Sequence, residues 1–151
     1  MTVIEAEVVK AVPADVSATY VRGVISRAAK VPEIAARLPE GHPTVAVRLT
    51  SDEELRRLNR TYAGEDHATD VLSFAGEGEH LGDIAISWPA TVRQAARFRH
   101  PEKTELALLS VHGLLHLLGW DHATASERAE MTRLTLAALR ASRVSLAPRR
   151  L

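Results

Sequence analysis

The sequence predicts an α+β domain in which helices pack on a mixed sheet of about four strands. Short runs rich in alternating or β-branched residues lie between longer stretches with apolar residues at helical spacing. A short turn rich in glycine and acidic residues separates the runs 70–75 and 81–88, which is typical of an antiparallel hairpin. A hairpin combined with several helices indicates α+β rather than regular βαβ alternation. The length of 151 residues suits one domain, 1–151.

The individual elements follow from their local patterns. We predict strands at 2–9, 44–49, 70–75 and 81–88, helices at 15–30, 51–59, 89–99, 101–119 and 124–140, a break between Pro32 and Pro39, and a loop at 62–69. In the first strand, Ile4, Ala6 and Val8 alternate with the residues of the opposite side. This alternation predicts a half-buried strand near an edge of the sheet.

Two helix starts and one central helix stand out. Ser51 with Glu54, and Thr124 with Glu127, have the spacing of a capping box, in which each side chain binds the other residue's backbone N–H. The helix at 101–119 is apolar nearly all round. We therefore predict that it is the central, buried helix of the domain.

Composition excludes several classes of protein. Cysteine is absent, so there is neither a disulfide partner nor a thiolate metal site. The formal net charge of zero argues against binding nucleic acid by bulk charge, although a local basic surface stays open. We interpret the arginines at 93, 97 and 99 as a solvated helix face, and Arg140, Arg143, Arg149 and Arg150 as a frayed tail. No apolar run reaches the roughly 18 residues of a membrane span, and the first residues do not resemble a signal peptide. We expect a cytoplasmic protein with no membrane partner.

Three histidines, His112, His116 and His122, form the pattern H-x3-H-x5-H. Residues four apart lie on the same face of a helix, so the first two can point at one spot. Gly119 can adopt the left-handed conformation that ends a helix, which lets the chain turn back and present His122. Three imidazoles with one open position are the ligand set of a catalytic zinc site, although imidazole also suits nickel, copper and iron. We predict one zinc ion held by the three histidines.

The motif has the histidine spacing of a metzincin protease but lacks its general base. Those enzymes place a glutamate directly after the first histidine, where this chain has Gly113. Glycine can neither accept nor return a proton, so the motif favours another reaction than peptide hydrolysis. Asp121 is either a hydrogen-bond acceptor that supports a metal ligand or a loop carboxylate.

Three segments carry a resemblance to a known family. The segment 111–122, V-H-G-L-L-H-L-L-G-W-D-H, closely resembles the signature of the YbeY family of bacterial rRNA-maturation endoribonucleases. The segments L-N-R (58–60) with T-D-V-L-S-F (69–74), and L-G-D-I (81–84), are similar to two further family blocks and stand in the same order. The resemblance spans about 45–139.

This resemblance implies a compact α+β domain with a zincin-like site geometry and a zinc ion on the three histidines. It implies a metal-dependent endoribonuclease that cleaves single-stranded RNA, matures small-subunit rRNA and takes part in ribosome quality control. The implied partners are rRNA and the small ribosomal subunit. On this basis we expect His112 and His116 to be catalytic, with Arg60 and Asp121 as further candidates.

Two positions depart from the family pattern. In the last helix, Thr135 stands where the family usually carries a glutamate four residues after the methionine, here Met131. The other position follows the predicted short helix at 51–59. The family carries an arginine directly after the aromatic residue that corresponds to Tyr62, whereas this chain has Ala63. Alanine lacks the fork with which arginine binds a phosphate. Two alternatives stay open. The histidine spacing motivates a zinc hydrolase of another class, such as a peptidase, and Ala63 motivates a catalytically impaired, zinc-stabilised ribosome-binding module. For an endoribonuclease, attack by hydroxide and attack by the 2′-hydroxyl of the RNA both stay open.

Overall fold

One mixed sheet of four strands and six helices make up the computed structural model, which describes residues 3–151. The strands are β1 (Glu5–Lys10), β2 (Thr44–Thr50), β3 (Val71–Ala75) and β4 (His80–Ser87), and the helices are α1 (Ala18–Ala28), α2 (Pro32–Ala35), α3 (Asp52–Leu58), α4 (Trp88–Phe98), α5 (Glu102–Leu117) and α6 (Ala125–Ala141). The strand order is β1-β2-β4-β3. β1, β2 and β4 are parallel, and β3 is antiparallel to β4. The predicted α+β class, the hairpin and the edge position of β1 are confirmed.

The core lies between the sheet and helices α1 and α5. Because side chains alternate along a strand, β2 buries Val45, Val47 and Leu49 on one face, and β4 buries Ile84 and Ile86 on the same side. α5 is buried along most of its length, as predicted for the central helix. The helix that carries the first two histidines is therefore held by packing on several sides.

A close approach of α5 to the hairpin fixes where the histidines lie. A Cβ atom at Gly113 would stand 2.6 Å from Cγ2 of Ile84, so only glycine allows this spacing between α5 and β4. The Ser73 hydroxyl donates a hydrogen bond to the Gly113 carbonyl at 3.0 Å. These contacts place the histidine face of α5 beside β3.

Several predicted boundaries differ from the structure for local reasons. The first strand was expected at 2–9 and lies at Glu5–Lys10; Thr2 is outside the described residues. α1 begins at Ala18 rather than at 15, because the Ser17 side chain caps the amide of Tyr20. Pro32 does not break the chain but opens α2, since proline suits the first turn of a helix.

The segment after α3 also differs from the predicted loop. A π-helical turn, Asn59–Ala63, continues α3 and ends at Gly64, which has φ 72°. The Ser51 cap is confirmed, but Glu54 does not complete the capping box, because its carboxylate accepts hydrogen bonds from Arg48 instead. The capping box at Thr124 and Glu127 is confirmed on both sides.

The basic C-terminal segment packs against the domain, so the prediction of a frayed tail was wrong. Arg150 donates to both carboxylate oxygens of the fully buried Glu105, at 2.6 Å from Nη2 and 2.9 Å from Nε. The amide of Ala147 donates to Nδ1 of His100, so Nε2 of that ring carries its proton and donates to Glu105 at 2.7 Å. These bonds join the tail to the start of α5.

Within residues 3–151, no helix combines the length and the apolar character that crossing a membrane requires.

Candidate metal centre

His112 and His116 project from the last two turns of α5 toward the same point. Their Nε2 atoms are 3.0 Å apart, and their ring centroids are 4.6 Å apart. This convergence follows from the spacing of four residues on a helix. The pair is partly buried.

A turn after α5 brings the third histidine to the pair. Gly119 has φ 96°, its amide donates to the carbonyl of His116 at 3.0 Å, and the amide of Trp120 donates to the carbonyl of Leu115 at 3.0 Å. This is the Schellman arrangement, in which a glycine in the left-handed region ends the helix. The chain reverses there, and the ring of His122 comes to lie 5.1 Å from that of His116.

Side chains from other elements hold this turn in place. The guanidinium of Arg37 lies 3.7 Å from the ring centroid of Trp120 and donates to the carbonyl of Leu118 at 3.2 Å. The indole N–H of Trp120 donates to Glu130 at 3.1 Å. The third histidine is thus presented by a turn that is anchored to both α6 and the segment after α2.

The three candidate ligand atoms all lie within 4.8 Å of one another. Nitrogens around a tetrahedral zinc ion stand about 3.3 Å apart, given Zn–N lengths of about 2.0–2.1 Å. His112 and His116 already approach that spacing, and His122, the exposed member, has room to adjust. The cluster fits one metal ion, and its purely imidazole donor set suits zinc and its transition-metal neighbours.

The electrostatics of the cluster favour neutral imidazoles, the form that binds metals. Burial, together with the neighbouring histidines, lowers the pKa of His112 to about 4. Burial also lowers the pKa of His116, and the charge of His122 adds to this effect. At pH 7 each of the two rings therefore has one unprotonated nitrogen that can bind a metal.

The cluster opens on a pocket of about 500 Å³ between α5 and β3. Its walls are formed by Thr69, Asp70, Val71, Leu72, Ser73, Ala75, His112, His116, Leu117 and His122. The T-D-V-L-S-F segment therefore lines the pocket with most of its residues. Asp70 is the only carboxylate among these lining residues, and it accepts a hydrogen bond from Gln94 at 3.3 Å.

The structure does not bring the two other candidate residues to the pocket. Arg60 is exposed and lies 3.7 Å from the carboxylate of Asp66. Asp121 accepts a hydrogen bond from the backbone amide of His122 at 2.7 Å. Asp121 therefore stabilises the loop and accepts no hydrogen bond from an imidazole N–H within residues 3–151. This agrees with the interpretation of Asp121 as a loop carboxylate.

Two arginines that were not predicted as site residues lie near the cluster. Arg128 lines a cavity of about 200 Å³ together with His112 and His122. Arg150 lines a cavity of about 170 Å³ with Asp70 and His112. Arg128 could have been found from the sequence, because it falls in the first turns of the helix that follows the third histidine. Arg150 has no such local signal, because tertiary contacts alone bring it there.

The fold and the cluster define an α+β domain with three convergent histidines, suited to a metal ion and open to a pocket beside a sheet edge. The sequence family described as Endoribonuclease YbeY matches residues 4–142. The chain belongs to this family.

Individual relatives agree with this assignment. The chain is 44% identical over 122 residues to the Endoribonuclease YbeY of Chloroflexus aurantiacus, which covers 73% of this chain and 79% of that protein. It is 46% identical over 111 residues to the Endoribonuclease YbeY of Moorella thermoacetica, over 64% of this chain and 71% of that protein. A solution structure of a Thermotoga maritima protein shares the fold, with a TM-score of 0.57 at 20% identity over 97% of this chain and 99% of that one.

Proposed function

We propose that this protein is a zinc-dependent endoribonuclease that cleaves single-stranded RNA. The observation that carries the proposal is the convergence of three imidazoles on an open pocket in a chain of the YbeY family. The proposed ligands are His112, His116 and His122, which form the three-imidazole set of catalytic zinc sites. By analogy with the activity named for its relatives, the substrate is RNA.

When bound, zinc would supply a Lewis acid for a phosphate oxygen or lower the pKa of a water molecule. The residues of the chain have separate roles around it. The neutral rings of His112 and His116 hold the site, and the anchored turn presents His122. Arg128, beside the cluster, adds positive charge where an RNA phosphate would lie.

The biological role extends this proposal. We propose that the substrate is small-subunit rRNA, that the partner is the small ribosomal subunit, and that the protein takes part in rRNA maturation and ribosome quality control in the cytoplasm. Family membership supports these proposals. The end groups of the cleaved RNA distinguish attack by hydroxide from attack by the 2′-hydroxyl, because a cyclic phosphate product requires the 2′-hydroxyl.

The packing at Gly113 argues against the peptidase alternative. A glutamate there would need a Cβ atom 2.6 Å from a methyl group of Ile84, so the usual peptidase base has no room. We expect no cleavage of casein by the zinc-loaded protein.

The alanine at position 63 supports a second candidate function, that of a catalytically impaired, zinc-stabilised ribosome-binding module. Ala63 ends the π-helical turn, and Arg60 in the same turn lies near Asp66 rather than in the pocket. The variant Ala63→Arg tests this candidate. If it gains RNA cleavage by a large factor, the natural chain is impaired; an unchanged rate supports an active enzyme.

The main test measures cleavage of a labelled single-stranded RNA by the purified, zinc-loaded protein. We expect cleavage that a chelator abolishes and that His116→Ala reduces at least a hundredfold. His42→Ala is the matched control, because His42 is exposed and lies outside the cluster. If folded, zinc-loaded protein leaves the RNA intact over a range of salt concentrations, the proposed function fails.

A further inference from the structure

β3 is an edge strand, and its pairing shows which of its backbone groups are free. The amide of Ser87 donates to the carbonyl of Asp70, and the amide of Gly76 donates to the carbonyl of Leu81. In an antiparallel pair, residues with inward groups alternate with residues whose N–H and C=O both point away. With the register Val71↔Ile86 through Ala75↔Gly82, the inward residues are 72 and 74, and the outward residues are Val71, Ser73 and Ala75.

These outward groups lie along the pocket of the histidine cluster. Val71, Ser73 and Ala75 all line that pocket with the three histidines. Within residues 3–151, no hydrogen bond engages their outward backbone groups. At the Val71 end, the edge also meets the cavity that Arg150 lines. A row of backbone N–H and C=O groups without hydrogen-bond partners among residues 3–151 therefore lies beside the candidate metal centre.

A free strand edge is normally blunted by charge, proline or a covering segment, because it invites pairing with another chain. The edge of β3 has no proline, and its side chains carry no charge. It offers one donor and one acceptor every two residues, about 6.6–6.8 Å apart. Single-stranded RNA carries complementary groups, since each nucleotide has an acceptor phosphate and a 2′-hydroxyl that can donate.

We propose that the free edge of β3 is the subsite that holds the RNA strand across the metal centre. The outward amides of Val71, Ser73 and Ala75 donate to phosphate oxygens, and their carbonyls accept from 2′-hydroxyls. The arrangement selects an extended, unpaired strand, because a duplex cannot lay one backbone flat along a sheet edge beneath α5. This inference rests on the proposed endoribonuclease function and names how its substrate is bound.

Amide hydrogen exchange, followed by NMR on the whole chain, tests the proposal directly. The protein is stripped of metal so that the RNA stays intact, and its fold is checked by circular dichroism. We expect the amides of Val71, Ser73 and Ala75 to exchange quickly in the free protein and at least fivefold more slowly with a single-stranded RNA oligonucleotide. The amides of Leu72 and Phe74, bonded to β4, are the internal control and stay slow in both states.

Two variants of Ala75 separate the effect of its outward amide from the effect of added bulk. Ala75→Pro deletes an N–H that the sheet does not use, and proline is tolerated on the free side of an edge strand. Ala75→Val adds similar bulk and keeps the amide. We expect the Kd for single-stranded RNA to be about tenfold higher in Ala75→Pro than in Ala75→Val, as for the loss of one charge-assisted hydrogen bond, and equal Kd values in the two variants would contradict a role for this amide.

The substrate supplies a test that does not depend on any variant folding. Single 2′-deoxy substitutions along the oligonucleotide should weaken binding to the unaltered protein severalfold at adjacent positions. If RNA binds but protects none of the outward amides, the edge proposal is overturned while the proposed function stands. If an unstructured peptide protects them and RNA does not, the edge binds a peptide strand and the proposal is overturned. If the protein neither binds nor cleaves RNA, the proposed function itself fails.

Discussion

His112, His116 and His122 differ in how firmly they are held. The first two belong to a buried helix, whereas His122 is exposed and depends on the Gly119 turn. The spacing of all three and the role of Gly119 were predictable, because they follow from the helix period and from the left-handed region that glycine enters. The anchoring of the turn by Arg37 was not, since no local pattern joins it to Trp120.

Gly113 is required for the close packing of α5 against Ile84 on β4. We expect Gly113→Ala to destabilise the protein by about 1–3 kcal/mol, because the added methyl group meets Ile84 and α5 must shift. Gly23→Ala is the control: its Cβ meets only the end of the Arg27 side chain, and alanine favours the helix. Urea unfolding measures both, and an unchanged stability in Gly113→Ala would contradict the tight contact.

At the scale of elements, local patterns predicted the four strands and the long helices well. They failed where two distant segments determine the outcome. The π-helical turn at Asn59–Ala63 is stabilised in part by Asn59, whose side-chain amide donates to the carbonyl of His67 at 3.0 Å. The packed tail depends on Glu105, which lies far from Arg150 in the sequence.

The tail contact predicts how stability depends on pH. Burial alone would raise the pKa of Glu105, but Arg150, His100 and Gln94 lower it below its usual value. A carboxyl group with a lowered pKa stabilises the fold above its unfolded pKa of about 4.3, and this contribution is lost as the pH falls through the folded pKa. We expect Arg150→Ala to cost about 1–3 kcal/mol at pH 7 and much less in acid.

Urea unfolding of the natural chain and Arg150→Ala at neutral and acidic pH measures this difference. Arg149→Ala is the matched control, because Arg149 is an exposed neighbour in the same tail. A cost for Arg150→Ala that is the same at every pH would contradict the role of the Glu105 carboxylate.

For the whole molecule, one hydrophobic core connects the sheet with α1, α5 and α6. We propose that 1–151 is a single domain, and we expect one cooperative unfolding transition. Circular dichroism and tryptophan fluorescence should give coincident curves, because Trp88 and Trp120 both border this core. Two separate transitions would contradict a single domain.

From the zero net charge we predict a weak salt dependence of RNA binding. Few cations lie near the pocket, so log Kd should change with log salt by a shallow slope, about 0.7 for each phosphate neutralised. Arg128→Ala should reduce this slope by about 0.7, because Arg128 lies beside the cluster. Arg22→Ala, on α1 beside β1, is the control and should leave the slope unchanged. Equal effects of the two variants would place the RNA elsewhere.

We propose that His112, His116 and His122 bind one zinc ion that the cleavage of RNA requires. The most direct test of this claim is a zinc titration of chelator-treated protein, with bound zinc and cleavage of single-stranded RNA measured on the same samples. We predict that both rise together and saturate at one zinc per chain. Cleavage that is complete without metal, or a folded chain that carries one zinc and leaves the RNA intact, would contradict the claim.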